Sequence, residues 1–348
     1  MTTGKNSHVK LAQVALMAGV SKSTASAALG GTGRVSDRTR DHVLQVAEQL
    51  GYRPNAGARA LRVGADPIVA LLLRSHMGLM PGETNSLFWP KLLYSMVDEL
   101  TKAGIGVLVA SDQVQGGLNR LPIDAVVSVV SDFDDEILAD LPSGIPKLMG
   151  GMPVAHPGYS TIGHDHAEIT RVAMDHLFEQ GSRFPALLVG PSITPIVRIP
   201  AAQAYEQWAQ EHDVEPRFME ADDFAEVGPI LSAAAADGMD GVYALTADNL
   251  SVYAALTEYA GLRVPEDVLL LGIGGGGIVG PLRPAISVMR LHGAKSGRVV
   301  AGEVVRALAT GEQVNVLLPY SVQVRNTTTR KGPGVAEPTP ATQVPHPD

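Results

Sequence analysis

The sequence predicts an N-terminal all-α helix-turn-helix head followed by an α/β core of two lobes, with parallel sheets and a cleft between the lobes. Three observations predict it. A glycine interrupts an alanine-rich segment at residues 14–29, the net charge changes sign near residue 64, and two series of apolar strands alternating with helices follow. At 348 residues the chain is longer than one domain usually is, so we expect several.

The alanine-rich segment predicts two short helices joined by a tight turn. Apolar residues recur with helical spacing over residues 11–18, and Gly19 suits the left-handed conformation that ends a helix. Ser21 is a favourable N-cap for a second helix that begins at once. In a helix-turn-helix, the second helix presents its first side chains to the major groove. The side chains that this placement turns toward base edges are those of Lys22, Ser23 and Ala27.

The next segments predict the rest of the head. Ser36 is positioned to cap a third helix, and Gly51 is positioned to end it. Residues 56–62 then provide about two helical turns, which is too short a helix to be stable alone in water. We interpret this stretch either as an interdomain linker or as a hinge helix that orders on DNA.

The distribution of charge separates the head from the rest of the chain. Residues 1–64 contain nine Lys or Arg and three acidic residues, a net charge of +6, so the remainder carries −15 to give the total of −9. A basic segment on an acidic body is typical of a nucleic-acid-binding head, although a cluster on a solvated surface has the same composition.

Beyond residue 64, the alternation of apolar strands and helices predicts buried parallel strands packed between helices. The predicted strands are residues 68–73, 106–111, 125–130, 146–150, 186–190, 241–245 and 268–274. The predicted helices are residues 88–104, 169–181, 199–212, 248–261 and 297–312, and the last of these returns to the first lobe.

These patterns predict four regions. The head is residues 1–54, and the hinge helix and linker are residues 55–64. The core, residues 65–330, has a first lobe at about 65–160 and 290–319 and a second lobe at about 161–289 and 320–330. The proline-rich tail, residues 331–348, is predicted to be disordered.

Other classes of protein receive little support from the sequence. The chain has no cysteine and no recognisable signal peptide or membrane-spanning segment, so we expect a cytoplasmic protein. The run "GIGGGG" at 272–277 matches a dinucleotide-binding fingerprint. However, prolines follow it, and no Asp or Glu that could bind a ribose lies between this run and Glu303. "GHDH" spaces His164 and His166 like a metal pair, and surface histidines in a crossover loop are the preferred interpretation. We predict no enzyme activity, no cofactor and no metal.

The head contains several short motifs in a fixed order, which are Ala15, "AGVS" at 18–21, Thr24, Ser26, "RVSDRTR" at 34–40, "LGYRPN" at 50–55, Ala58 and Leu61. Together they resemble the DNA-binding head of the lactose/galactose repressor (LacI–GalR) family. The resemblance extends more loosely through "DHLFEQGSRFPALLVG" and "YALTADNLSVYAALTEYAGLRVPEDVLLLGIGG" in the core. It implies a core like the periplasmic sugar-binding proteins, with a small ligand in the cleft.

The resemblance also implies roles for individual residues of the head. At the positions of Lys22, Ser23 and Ala27 the family reads bases, and at the position of Leu61 it inserts a wedge into the minor groove. The positions that contact phosphates, or cap helices near them, are Ser21, Thr24, Ser26 and Asn55. Arg34 and Ala58 complete the set of expected DNA contacts.

The cleft departs from the pattern that the resemblance implies. Gly274 and Gly275 stand where family members carry an aspartate pair, and glycines also replace an acid after the strand at 146–150. Arg198, at a displaced spacing, and Asp248 are the remaining candidate ligand contacts, although Asp248 is equally suited to cap a helix. Because carboxylates and arginine clamp sugar hydroxyls, their loss favours a less polar effector or no effector. The expected effector-site positions are Arg198, Asp248, Gly274 and Gly275.

The resemblance thus implies a sequence-specific DNA-binding transcriptional regulator, with a repressor as the preferred interpretation. We expect a homodimer on a pseudo-palindromic operator, with a tetramer as an alternative, and an affinity that a small molecule in the cleft modulates. Two other functions stay open, a solute-binding protein without DNA activity and a regulator that has no small-molecule effector.

Overall fold

The computed structural model describes residues 11–30, 35–50, 66–74, 87–114, 117–129, 135–142, 144–151, 156–191, 193–274 and 285–330. The first two ranges form a three-helix head. Helix α1 spans Leu11–Met17, α2 spans Lys22–Gly30 and α3 spans Asp37–Gln49. Val14, Ala25 and Val43, one from each helix, are fully buried and make the centre of a small apolar core. Alanines at this core let the three helices pack closely.

The first lobe is a six-stranded parallel sheet between helices. Its strands are β1 (Ile68–Leu73), β2 (Gly106–Ser111), β3 (Ala125–Ser128), β4 (Lys147–Gly151), β5 (Ser160–Gly163) and β11 (Asn315–Leu317). They lie in the order β11-β5-β4-β3-β1-β2, and every pairing is parallel. The helices of this lobe are α4 (Phe88–Lys102), the short α5 (Glu136–Ala139) and α10 (Gly293–Thr310).

The second lobe repeats this architecture. Its strands are β6 (Pro185–Val189), β7 (Phe218–Glu220), β8 (Gly241–Leu245), β9 (Leu269–Gly274), β10 (Ser287–Leu291) and β12 (Tyr320–Gln323), in the order β12-β10-β9-β8-β6-β7. Its helices are α6 (His166–Glu179), α7 (Pro195–Glu211), α8 (Phe224–Ala236) and α9 (Asn249–Ala254), which continues into a π-helical turn, Ala255–Tyr259. The chain passes between the lobes after β5, after β10 and after β11.

Alternation along the strands explains why helices cover both faces of each sheet. On β1, Val69 and Leu71 face a cluster shared with α4 and α10, whereas Ala70 and Leu72 face a second cluster on the other side. The second lobe has the same two-sided core, built from opposite faces of β6 and β8. Because consecutive strand residues point to opposite faces, a sheet buried on both sides needs continuous apolar strands, and "IVALLL" is such a run.

Several elements differ from the sequence-based expectation. Helix α7 begins at Pro195, four residues before the predicted start, because Pro195 occupies the first turn, where a missing N–H costs nothing. Pro200 lies inside the helix. Strand β12 pairs antiparallel with β10, so the second sheet is not wholly parallel. Helices α5 and α8 were not predicted, and neither were the strands β5, β7, β10, β11 and β12, which have only three to five residues each.

Some predictions fall on residues whose structure is not described. These are the hinge helix and linker at 55–64 and the proline-rich tail at 331–348. In the described part of the chain, no helix combines the length and apolar character that crossing a membrane requires.

Candidate nucleic-acid interface and ligand cavity

The turn between α1 and α2 sets the direction in which α2 leaves the head. Gly19 has a φ of 63°, in the left-handed region that costs other residues strain. The N–H of Val20 donates to the Ala15 carbonyl at 3.0 Å, and that of Gly19 donates to the Leu16 carbonyl at 3.2 Å. These two bonds form a Schellman motif, which ends α1 and lets Val20 pack against the core of the head.

The first turn of α2 is closed by Ser21. Its Oγ accepts a hydrogen bond from the backbone N–H of Thr24 at 3.0 Å and lies 2.7 Å from the Ser23 Oγ and 2.8 Å from the Thr24 Oγ1. Ser21 is therefore the N-cap of α2, and the three hydroxyls form one polar cluster at the start of the helix.

One edge of α2 is open to solvent and basic. Lys22 and Ser23 are exposed, whereas Ala25 and Ala28 on the opposite side are buried in the head. The first turn of α2 contains no acidic residue, so the positive end of the helix dipole and the Lys22 ammonium act together on an approaching anion. Such an edge can contact phosphates and present hydrogen-bonding side chains to base edges.

The structure places only part of the predicted DNA-contacting set. Thr24, Ser26 and Ala27 are half-buried, and all three lie on α2 with Lys22 and Ser23. The predicted contacts outside the described residues are Arg34, Asn55, Ala58 and Leu61.

A cavity of about 670 Å³ lies between the lobes. It is bounded by the carboxyl ends of strands from both sheets, which is where open α/β sheets usually bind ligands. The first lobe contributes Phe88, Trp89, Leu92 and Met96, and the second contributes Ile196, Val197, Leu245 and Ile273, among others. A ligand in this cavity would contact both lobes at once.

Two histidines at the end of β5 line the same cavity. His164 is only 5% exposed, and burial, with smaller contributions from His166 and His292, lowers its pKa from the usual 6.5 to about 3, against the opposing effect of a hydrogen bond to the Pro319 carbonyl. Burial also lowers the pKa of His166 to about 4, although Asp165 favours its charged form. Both rings are neutral at neutral pH. The expectation of surface histidines was therefore wrong for His164, which follows β5 into the space between the lobes, whereas His166 begins α6 and is half-buried.

Three aspartates line the second-lobe side of the cavity. Asp223 accepts a hydrogen bond from the Ala225 N–H at 2.9 Å and forms a capping box with Glu226 at the start of α8. Asp248 caps α9, accepting from the N–H groups of Leu250 and Ser251 and from the Ser251 hydroxyl. Asp222 is exposed. Asp248 thus acts as a helix cap while it also lines the cavity.

The other predicted effector positions have different environments. Arg198 does not line the cavity, and its guanidinium binds the Glu220 carboxylate at 2.8 Å and 2.9 Å in the second lobe. Gly274 lines the cavity, and Gly275 lies outside the described residues. Gly150 also lines it, and a side chain there would collide with the Val129 carbonyl, so the absence of an acid at this position follows from the close approach of two backbones.

Sequence reasoning did not identify the apolar part of this site. Phe88, Trp89 and Met96 are spaced as an ordinary amphipathic helix, and nothing in that spacing distinguishes a cavity wall from a core. Asp223 gave no signal either, since α8 was not predicted. In the described ranges, no group of three or more His, Asp or Glu side chains is placed to hold a metal ion.

Two protein-family models match the chain. The model described as "Bacterial regulatory proteins, lacI family" matches residues 10–55, which include all of α1, α2 and α3. The model described as "Periplasmic binding protein-like domain" matches residues 174–328, which include most of the second lobe.

Curated relatives align over nearly the whole chain. The HTH-type transcriptional regulator CelR of Thermobifida fusca is 26% identical over 337 residues, covering 90% of this chain and 97% of the relative. The HTH-type transcriptional regulator pepR1 of Lactobacillus delbrueckii subsp. lactis is 24% identical over 339 residues, covering 93% and 98%.

Solved structures share the fold. A CelR–cellobiose complex superimposes with a TM-score of 0.64 at 24% identity, covering 92% of this chain and 100% of that one. The lac repressor dimer bound to operator and the anti-inducer ONPF gives 0.63 at 20% identity, covering 93% and 100%. At these identities the likeness shows the architecture of a helical head and two α/β lobes.

Proposed function

We propose that this chain, whose head matches the lacI family of bacterial regulatory proteins and whose relatives are HTH-type transcriptional regulators, is itself a DNA-binding transcriptional regulator of that family and not an enzyme. It represses transcription by binding a pseudo-palindromic operator as a homodimer, and a small molecule in the cavity between its lobes changes its affinity for that operator. The observation that carries the proposal is the exposed, basic start of α2 behind the turn at Gly19.

The head supports binding in two steps. Lys and Arg side chains neutralise phosphates and release counterions, which gives affinity without sequence preference. The edge of α2 then supplies the preference, with Lys22 donating to guanine O6 or N7, Ser23 contacting a base edge and Ala27 contacting a thymine methyl group. By family resemblance, Leu61 wedges into the minor groove and kinks the duplex.

The size of the head supports a dimer. One head of three short helices offers few base contacts, and two heads related by a two-fold axis double them on a symmetric site. Two relatives are named HTH-type transcriptional regulators, and one protein of similar fold, the lac repressor, was solved as a dimer bound to operator.

The position of the cavity supports regulation by a ligand. A molecule held between two lobes favours the arrangement of lobes in which it makes most contacts, and so shifts the population of the two arrangements. If the arrangement of the lobes sets the spacing of the two heads, ligand affinity and operator affinity are coupled. One solved relative is a complex with cellobiose, and another has ribose bound.

Selection of binding sites from random duplex DNA by the full-length protein tests this function. We expect the enriched sites to consist of two half-sites related by a two-fold axis, and the Lys22→Ala variant to lose the preference at one position of each half-site. Lys102→Ala, an exposed lysine on α4 of the core, is the matched control and should select the same sites as the wild type. Enrichment of sites without two-fold symmetry, or no enrichment, would refute the proposal.

A further inference from the structure

Much of the cavity wall is formed by buried apolar side chains. Phe88, Leu92 and Met96 on the first-lobe side, and Leu245 and Ile273 on the second, are each at most 6% exposed. A sugar carries hydroxyls around its ring, and each hydroxyl removed from water without a partner costs free energy. These five side chains give it no such partners.

The charged groups at the cavity are unsuited to an anion. No lysine or arginine belongs to its described lining, whereas three aspartates do. Asp248 already accepts three hydrogen bonds within the protein, and Asp223 is engaged in a capping box, so neither carboxylate is arranged primarily for a ligand. An anionic ligand would meet like charges and find no partner among these side chains.

The cavity lining includes a buried histidine with an unpartnered nitrogen. His164 is 5% exposed, and its Nε2 makes no hydrogen bond to any described residue. In a neutral imidazole one nitrogen donates and the other accepts, and a ligand hydroxyl, which can do both, can pair with this ring in either tautomer.

The rings around His164 define the surroundings of a ligand hydroxyl bound to it. The Phe88 ring lies edge-on to the His164 ring at a centroid distance of 5.5 Å, and the Trp89 ring lies 4.9 Å from that of Phe88. The His166 ring is 6.1 Å from that of His164, and its Nδ1 is likewise without a partner among the described residues. Two neutral imidazoles beside two aromatic rings form a site that is apolar with one or two fixed polar points, as small-molecule pockets usually are.

Building on the proposed function, we infer that the cavity binds a neutral, predominantly apolar molecule bearing a hydroxyl group, which forms a hydrogen bond with the imidazole of His164 while its apolar part contacts Phe88 and Trp89. The cavity volume of about 670 Å³ suits a ligand of drug size. The ligand differs in class from the cellobiose, lactose and ribose that relatives hold in their solved structures.

A matched set of probes tests this inference on the full-length protein. The set is 4-tert-butylphenol, the same molecule without its hydroxyl (tert-butylbenzene), its carboxylate counterpart (4-tert-butylbenzoate) and cellobiose, with binding measured by calorimetry. We expect the phenol to bind about tenfold more tightly than the hydrocarbon, because it adds one hydrogen bond to a buried imidazole, and a tenfold change corresponds to about 1.4 kcal/mol. The benzoate and cellobiose should not bind.

Two variants locate the hydroxyl. His164→Phe keeps an aromatic ring and removes the imidazole nitrogens, so it should bind phenol and hydrocarbon equally, and the retained hydrocarbon binding shows that the cavity is intact. His212→Phe is the control, since this histidine stacks on Trp208 in the second lobe away from the cavity, and the variant should keep the tenfold preference.

Quenching of Trp89 fluorescence by the phenol should disappear in Trp89→Phe while calorimetric binding persists.

The outcomes separate this inference from the proposed function. Tighter binding of cellobiose or the benzoate, no binding of the phenol, or a hydroxyl preference that survives His164→Phe would overturn the inference. Selection of symmetric DNA sites by the same ligand-free preparation would leave the proposed function standing in each of those cases.

Discussion

The backbone N–H of Val20 donates to the carbonyl of Ala15 across 3.0 Å, and this bond folds the chain back around Gly19. It connects the end of α1 to the first residue that packs beneath the turn, since Val20 contacts the core of the head. The direction of α2, and with it the exposure of Lys22, follows from this one relationship.

We therefore expect Gly19→Ala to destabilise the head. A Cβ at a φ of 63° costs about 1–2 kcal/mol in the left-handed region, although nothing lies within 4 Å of it. In hydrogen exchange of the full-length protein, amides of α1 and α2 should exchange about tenfold faster, because local opening becomes easier. Gly302→Ala, in the middle of α10 with open space around it, is the control and should be neutral or stabilising. Unchanged exchange in Gly19→Ala would contradict the importance of this turn.

Lys22→Ala should weaken operator binding without changing the stability of the head. Lys22 is exposed at the start of α2, so its removal takes a positive charge from the interface and leaves the buried alanines in place. A specific contact is worth about 1–3 kcal/mol, which corresponds to roughly 5- to 150-fold in affinity. Fluorescence anisotropy with labelled operator measures this loss. An affinity equal to that of Lys102→Ala would show that Lys22 is not at the interface.

The buried His164 should make the folded protein less stable in acid. Its pKa is about 3 in the folded state and about 6.5 in the unfolded state, so between these values the unfolded chain binds a proton that the folded chain does not. Stability therefore falls as the pH drops below about 6.5, by about 1.4 kcal/mol per pH unit from this group. Urea unfolding from pH 7 to pH 4.5 should show a shallower decline in His164→Phe. Parallel curves for the two proteins would contradict the assignment of a buried, neutral His164.

Two substitutions at Asp248 separate its capping role from any role in binding. Asn caps a helix almost as well as Asp, so Asp248→Asn should leave the melting temperature nearly unchanged, whereas Asp248→Ala should cost about 1 kcal/mol by removing the acceptor of the Leu250 and Ser251 N–H groups. A phenol affinity that is the same in Asp248→Asn as in the wild type is expected if this carboxylate is only a cap. A large loss of affinity with unchanged stability would instead identify it as a ligand contact.

The fold could be predicted where the sequence pattern has only one physical solution. "IVALLL" is apolar at every position and so must be covered on both faces, and Gly19 followed by Ser21 predicted the end of one helix and the cap of the next. Short elements could not be predicted in this way. β7 and β11 have three residues each, and their pairing depends on neighbours that are distant in the chain.

The cavity was less predictable than the head. The glycines at 150 and 274 indicated that charged groups are missing, but they did not indicate what replaces them. Burial of His164 depends on α4 of one lobe and on Pro319 in the chain segment between β11 and β12, which are far apart in sequence. Because burial is the largest cause of the lowered pKa of His164, and sequence spacing does not reveal burial, its place in the cavity became visible only in three dimensions.

The most direct test of the account is the affinity of the full-length protein for DNA from the region upstream of its own gene, measured as a function of salt concentration and repeated with Lys22→Ala. We expect specific binding in which the logarithm of the association constant falls linearly and steeply with the logarithm of the salt concentration. The variant should bind more weakly at every salt concentration. An affinity no greater than that for unrelated DNA, or one that Lys22→Ala leaves unchanged, would contradict it.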